Sequence, residues 1–78
     1  MDKIPELPEI QKGIYQHFKG GKYEVLGVVR HSETLEPMVR YRHAGEIEEW
    51  VRPYDMFTED IEHDGRKPIP RFRYTGEY

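Results

Sequence analysis

Gly20-Gly21-Lys22-Tyr23-Glu24-Val25-Leu26-Gly27-Val28-Val29-Arg30-His31 is the stretch on which the fold turns. The glycine pair tolerates positive φ and marks a two-residue hairpin. The residues after it read as a long strand. Tyr23, Val25, Gly27 and Val29 fall on one face, and Glu24, Leu26, Val28 and Arg30 on the other. Apolar residues on both faces suit a strand that bends through a small barrel, and Gly27 is the natural place for a bend or bulge.

Upstream, Ile14-Tyr15-Gln16-His17-Phe18-Lys19 supplies the first strand of the hairpin. Before it, Ile4, Leu7 and Ile10 stand at helical spacing among prolines and acidic residues, so residues 1–12 read as a short helix or an arm. Downstream, a polar loop from Ser32 to Pro37 leads to a third strand, Met38 to His43. Ala44-Gly45-Glu46 turns the chain into a fourth, Ile47 to Arg52. Pro53 cannot donate to a ladder and ends that strand. Tyr54-Asp55-Met56-Phe57 suits one helical turn that plugs the core with Met56 and Phe57. A polar loop from Thr58 to Pro68 contains an Asp64-Gly65 turn. Ile69 to Tyr74 then reads as a last strand, placed at an edge by Pro68 and Pro70.

Five short strands with a helical turn before the last predict a mainly β fold, a small SH3-like five-stranded barrel. The domain is expected to span residues 13–74, with a tail at 75–78. An open α+β sheet with an N-terminal helix on one face is the rival architecture.

Composition narrows the classes. The 78 residues allow one domain, and without cysteine neither disulfides nor thiolate zinc sites can staple it. Charged residues make up 35%, close to disordered compositions, but 13% aromatics supply enough apolar area to predict a folded chain. Twelve basic against fifteen acidic residues give −3, which argues against non-specific duplex binding while leaving local basic patches open. No apolar stretch approaches the roughly 20 residues of a membrane span, and Met1-Asp2-Lys3-Ile4-Pro5-Glu6 lacks signal-peptide character. A cytoplasmic location is the default expectation.

The chemistry-bearing residues are Tyr15, His17, Lys19, Tyr23, His31, Glu33, Tyr41, Trp50, Arg52 and Arg71. His17, His31, His43 and His63 show no metal-ligand spacing, although His17, His31 and Glu33 could meet in space. Metal binding is not expected. In His31-Ser32-Glu33-Thr34, neighbouring side chains on an extended chain point to opposite sides, so His31 is poorly placed to activate Ser32. A structured loop bonded to its own backbone is the expectation.

Trp50 reads first as a core residue, with Arg52 paired to Glu33 or Asp55. The sharper reading is a groove whose aromatic faces hold a planar ligand while Arg52 grips a carboxylate or phosphate. Phe72 is expected to point inward and Arg71 outward, the latter either near Arg52 or in a surface ion pair. Arg66-Lys67 reads as solvated.

Several ordered motifs carry a resemblance. Gly13-x-Tyr15-x-His17-Phe18-Lys19-Gly20, Tyr23-x-Val25, His31-Ser32-Glu33-Thr34, Val39-x-Tyr41, Trp50-Val51-Arg52-Pro53, Met56-Phe57 and Pro70-Arg71-Phe72 occur in this order. Over Gly13 to Phe72 the chain resembles the small bacterial family called domain of unknown function 1653. The resemblance implies a compact, mainly β domain and brings no catalytic residue.

The functional expectation is a small binding module without cofactor or metal. It would recognise an anionic or planar ligand, or a short polymer segment, through Tyr15, His17, Tyr23, His31, Glu33, Tyr41, Trp50, Arg52 and Arg71. An accessory domain docking on a protein partner through its edge strand ranks second. A small hydrolase or transferase using His17 or His31 as general base beside Glu33 ranks third.

Overall fold

The computed structural model describes residues 6–62, 65 and 67–76. Along the chain run β1 (Gly13–His17), β2 (Lys22–Arg30), β3 (Pro37–His43), β4 (Glu49–Pro53), α1 (Tyr54–Phe57), β5 (Asp60–Ile61), β6 (Ile69–Pro70) and β7 (Phe72–Gly76). Five of the strands form one antiparallel sheet in the order β4-β3-β2-β1-β7, and β5 pairs with β6 in a small second sheet. The hairpin forms, but not on the expected two-residue turn: β1 ends at His17, whose N–H donates to the Gly21 carbonyl at 2.7 Å, so Phe18, Lys19 and Gly20 make the loop and Gly20 takes φ +110°. The helical turn falls on Tyr54–Phe57, directly after Pro53 closes β4.

Register decides which side chains share a face. Tyr15 lies opposite Tyr23 and Tyr74, His17 opposite Phe72, and Tyr23 opposite His43. Tyr41 lies opposite Trp50, and Val39 opposite Arg52. Directly opposed residues project to the same side, so all of these crowd onto one face. The register between β2 and β3 shifts between Val25 and Gly27. That bulge corrects the simple alternation read from the sequence. Beyond it Val28, not Val29, lies opposite buried Val39, and Val29 is left exposed.

The core sits on this face: Tyr15, Val25, Val39, Tyr41, Phe57 and Phe72 are buried, with Ile10, Tyr23, Tyr54 and Tyr74 packed around them. Phe57 is the lid. Its ring stacks on Phe72 at 4.0 Å and meets Tyr15 and Tyr41 at 5.6 and 5.9 Å. Met56, expected beside it, instead stays exposed, because a single helical turn presents only one of two adjacent residues to the sheet. The opposite face of the sheet carries the pairs Arg42–Glu24 and Arg40–Glu49 at 2.6 and 2.8 Å. The half-exposed Arg40–Glu49 pair contributes about 0–1 kcal/mol.

The expected closed barrel does not form. Among the described residues β4 pairs only with β3 and β7 only with β1, so the sheet is open. It is nonetheless strongly curled, since the Arg52 guanidinium on one edge strand lies 5.4 Å from the centre of the Phe72 ring on the other. Phe57 packs between the two edges, where a barrel would need direct strand contact. The single last strand foreseen over Ile69–Tyr74 is also divided: Ile69–Pro70 pairs with β5, Arg71 breaks the run, and β7 begins at Phe72.

Residues 6–12 form no helix and run as an arm, tied by the Tyr15 hydroxyl donating to the Gln11 carbonyl at 2.7 Å. The first part of the expected helix or arm (1–5), His63, the aspartate of the Asp64-Gly65 turn and Arg66 lie outside the described residues. Among the described residues no helix is long and apolar enough to cross a membrane.

One backbone position holds strain. Leu35, in the loop between β2 and β3, has φ 66°, a region where an L side chain costs about 1–2 kcal/mol. Its hydrogen bonds are made by the backbone, N–H to the His31 carbonyl at 2.9 Å and carbonyl from Arg30 at 3.0 Å, and survive substitution. Leu35→Asn should therefore stabilise the domain by up to about 1 kcal/mol, and Leu35→Val should destabilise it similarly. Thermal denaturation of the two variants checks the opposite signs.

Candidate ligand-binding face

The curled face is only partly covered by Phe57, and the uncovered part lies toward the β1–β2 hairpin. There Tyr23 packs against His43 at 4.6 Å and Phe72 at 5.3 Å, while His17 meets Phe18 at 4.6 Å and Phe72 at 4.9 Å. Phe72, itself buried beneath Phe57, is thus the floor about which His17, Tyr23 and Arg52 are arranged. Trp50 borders the group on β4 and is 48% exposed. This corrects the expectation of a core tryptophan. An edge strand has a neighbour on one side only, and Phe57 does not reach far enough to cover the indole.

Arg52 departs from its expected pairing as well. It bonds neither Glu33 nor Asp55; its ring contact is with Phe72, and among the described residues it has no carboxylate partner. Arg71 sits between β6 and β7 and forms the ion pair weighed for it: its Nε and Nη2 donate to one oxygen of Glu59 at 3.0 and 2.5 Å. Lys19 Nζ lies 5.6 Å from the Phe18 ring centre. The field of these cations registers on His17. Partial burial, then the charges of Arg52, Arg71 and Lys19, pull its pKa below the ordinary 6.5. His17 Nδ1 accepts the Lys19 N–H at 3.1 Å, so the neutral ring carries its proton on Nε2. A cationic, aromatic surface thus faces solvent on a chain of net charge −3.

His31 and Glu33 stand elsewhere. They follow the far end of β2, separated from Tyr23 by roughly 25 Å of strand at about 3.3 Å per residue. His31 Nδ1 accepts the N–H groups of Glu33 and Thr34 at 3.1 and 3.2 Å, stapling its own loop. His17, His31 and Glu33 therefore do not converge, and no group of metal-ligating residues assembles among the described residues. Tyr15 and Tyr41 are buried in the core, where they support the face from beneath; burial and the neighbouring Tyr74 and Tyr54 raise the pKa of the Tyr15 phenol.

Sequence reasoning missed Phe18, His43 and Phe72 as members of the group. His43 lies opposite Tyr23 through the β2–β3 register, which the Ala44-Gly45-Glu46 turn between β3 and β4 does not fix. A depression of about 380 Å³ opens beside the hairpin, lined by Gln16, His17, Phe18, Ile69, Pro70 and Arg73.

A curled, open antiparallel sheet with one aromatic and cationic face left half uncovered defines the class: a small, mainly β antiparallel domain rather than a closed barrel. The chain belongs to the family described as protein of unknown function DUF1653, whose model matches residues 13–74. It is also similar to the crystal structure of a protein of this family from Bordetella bronchiseptica. The two share 33% sequence identity and superpose with a TM-score of 0.75 over 88% of this chain and 91% of that one. A search of curated proteins gives no significant match.

Proposed function

We propose that the domain is a binding module for a planar or extended ligand carrying an anionic group, held on the face formed by His17, Tyr23, Trp50, Arg52 and Phe72. The observation that carries this reading is Arg52. A guanidinium held over an aromatic ring, without a carboxylate partner among the described residues, keeps its N–H fork available for a carboxylate or phosphate. Trp50 offers a half-exposed ring for stacking, and its indole N–H donates to no group among the described residues. Stacking and charge together favour a nucleoside monophosphate over the matched nucleoside or inorganic phosphate alone. Calorimetric titration of the three separates them: the monophosphate should bind more tightly than either part, and equal or absent binding of all three would remove the reading.

The lowered pKa of His17 gives this site a pH dependence with a definite sign. An anion beside Arg52 offsets the repulsion that Arg52, Arg71 and Lys19 exert on the imidazolium, so binding raises the His17 pKa and takes up a proton. Affinity for sulfate, whose charge is constant in this range, should increase as pH falls from 6.5 through the lowered His17 pKa. Stability of the free domain runs the other way. With the folded pKa below the ordinary 6.5, the unfolded chain binds more protons in that window, and the His17 contribution is lost as pH falls through it. Proton NMR titration of His17 with and without sulfate checks the shift; an unchanged His17 pKa on saturation contradicts it.

A further inference from the structure

The backbone of β4 points to a second occupant of the fold's edge. Ala44 N–H donates to the Lys22 carbonyl at 3.1 Å, which makes these two a hydrogen-bonded pair and sets the alternation along β3. Arg42 and Arg40 then turn their peptide groups to β2, while Tyr41 and Val39 turn theirs to β4. Tyr41–Trp50 and Val39–Arg52 are the hydrogen-bonded pairs of the next ladder. Glu49 and Val51 consequently direct N–H and C=O outward from the sheet, with no strand among the described residues to receive them.

Natural edges are usually blunted by charge, proline or a bulge. This one is flanked by Ile47, Trp50 and Val51, exposed by 89%, 48% and 53%. Its charges are also self-complementary. In an antiparallel pairing of two β4 strands only registers that set outward-facing residues opposite one another can form. Trp50 opposite Trp50 is such a register: Glu49 and Val51 of each copy exchange bonds with Val51 and Glu49 of the other. On the Trp50 face it sets Glu48 of each copy opposite Arg52 of the other. Glu48 and Arg52 both lack an opposite-charge partner within their own chain among the described residues. Of the two neighbouring allowed registers, the one that sets Glu49 opposite Glu49 places like charges directly together, and the one that sets Val51 opposite Val51 puts Pro53, which has no N–H, at a hydrogen-bonding position opposite Glu49.

We infer that two copies of this chain pair antiparallel along β4, about a twofold axis at Trp50, to form a continuous ten-stranded sheet. The interface is isologous and rests on backbone bonds at Glu49 and Val51, apolar burial at Ile47, Trp50 and Val51, and two Glu48–Arg52 contacts. It is argued independently of the ligand reading above but draws on the same Trp50 and Arg52, so pairing and ligand binding compete for these two side chains.

Sedimentation velocity over a concentration series up to roughly 1 mM, where even weak contacts populate, should give a monomer–dimer equilibrium. Val51→Pro removes an N–H that β3 does not use, so the variant should keep the native amide spectrum while its association weakens at least tenfold. Glu48→Arg and Arg52→Glu should each be monomeric alone and form a heterodimer when mixed, since opposite charges then face one another at both contacts. A monomeric wild type overturns the inference, as does a Val51→Pro variant that dimerises like wild type. Failure of the two charge variants to associate on mixing overturns the register. Because Val51→Pro leaves Arg52 and Trp50 in place, retained ligand binding in that variant separates loss of the dimer from loss of the ligand site.

Discussion

Phe57→Ala should unfold the domain at ordinary working temperatures. Phe57 is 1% exposed, stacks on Phe72 at 4.0 Å and touches both buried tyrosines of the sheet. Truncating a fully buried phenylalanine costs about 3–5 kcal/mol, the transfer term plus the cavity left behind. A domain of 78 residues has a total stability on the order of 4–12 kcal/mol, so the loss is comparable with the whole. The fold has no second layer able to close the gap, because one helical turn is all that covers the curled face. A fall in melting temperature of more than about 15 °C is expected. Met56→Ala, one residue earlier and 46% exposed, should cost less than about 1 kcal/mol. Chemical denaturation of both variants checks the contrast, and near-equal losses would mean that the core is not organised around Phe57.

Arg52→Gln should lower affinity for a nucleoside monophosphate by about 10- to 100-fold, the range for removing a charge-assisted hydrogen bond of about 1.5–3 kcal/mol. The amide keeps a donor and most of the stem, so packing over Phe72 is largely retained. A second, independent readout comes from His17. Arg52 is the first of the charges that lower its pKa, so the substitution should move that pKa upward in the free protein. A variant that loses affinity while leaving the His17 titration untouched would place the anion elsewhere. Little loss of stability is expected, since an exposed cation–π contact is worth about 0.5–1 kcal/mol.

The strand and turn framework was legible because it rests on local chemistry. Gly20-Gly21 and Ala44-Gly45-Glu46 demand turns, Pro53 ends a ladder, and the helical turn at Tyr54–Phe57 follows from the proline before it. Closure was not legible. Whether β4 meets β7 depends on the volume of Phe57 wedged between the edges and on the curl introduced by the bulge between Val25 and Gly27, and no local pattern encodes either. The same holds for the site. Identifying His17, Tyr23, Trp50 and Arg52 needed only residue chemistry. Separating His17 and Tyr23 from His31 and Glu33 needed the register, which puts these two pairs at opposite ends of β2. Trp50 was misjudged as core because burial depends on strand order: the same residue on β3 would have neighbours on both sides.

Chemical-shift mapping during titration with a nucleoside monophosphate decides whether the half-uncovered aromatic face binds an anionic, planar group. The largest changes should fall on the Trp50 indole N–H, the Arg52 Nε–H and the His17 ring, with lesser ones at Tyr23 and His43. Saturating titration that leaves these signals in place, or moves Gln16, Ile69 and Arg73 in the neighbouring depression instead, would contradict it.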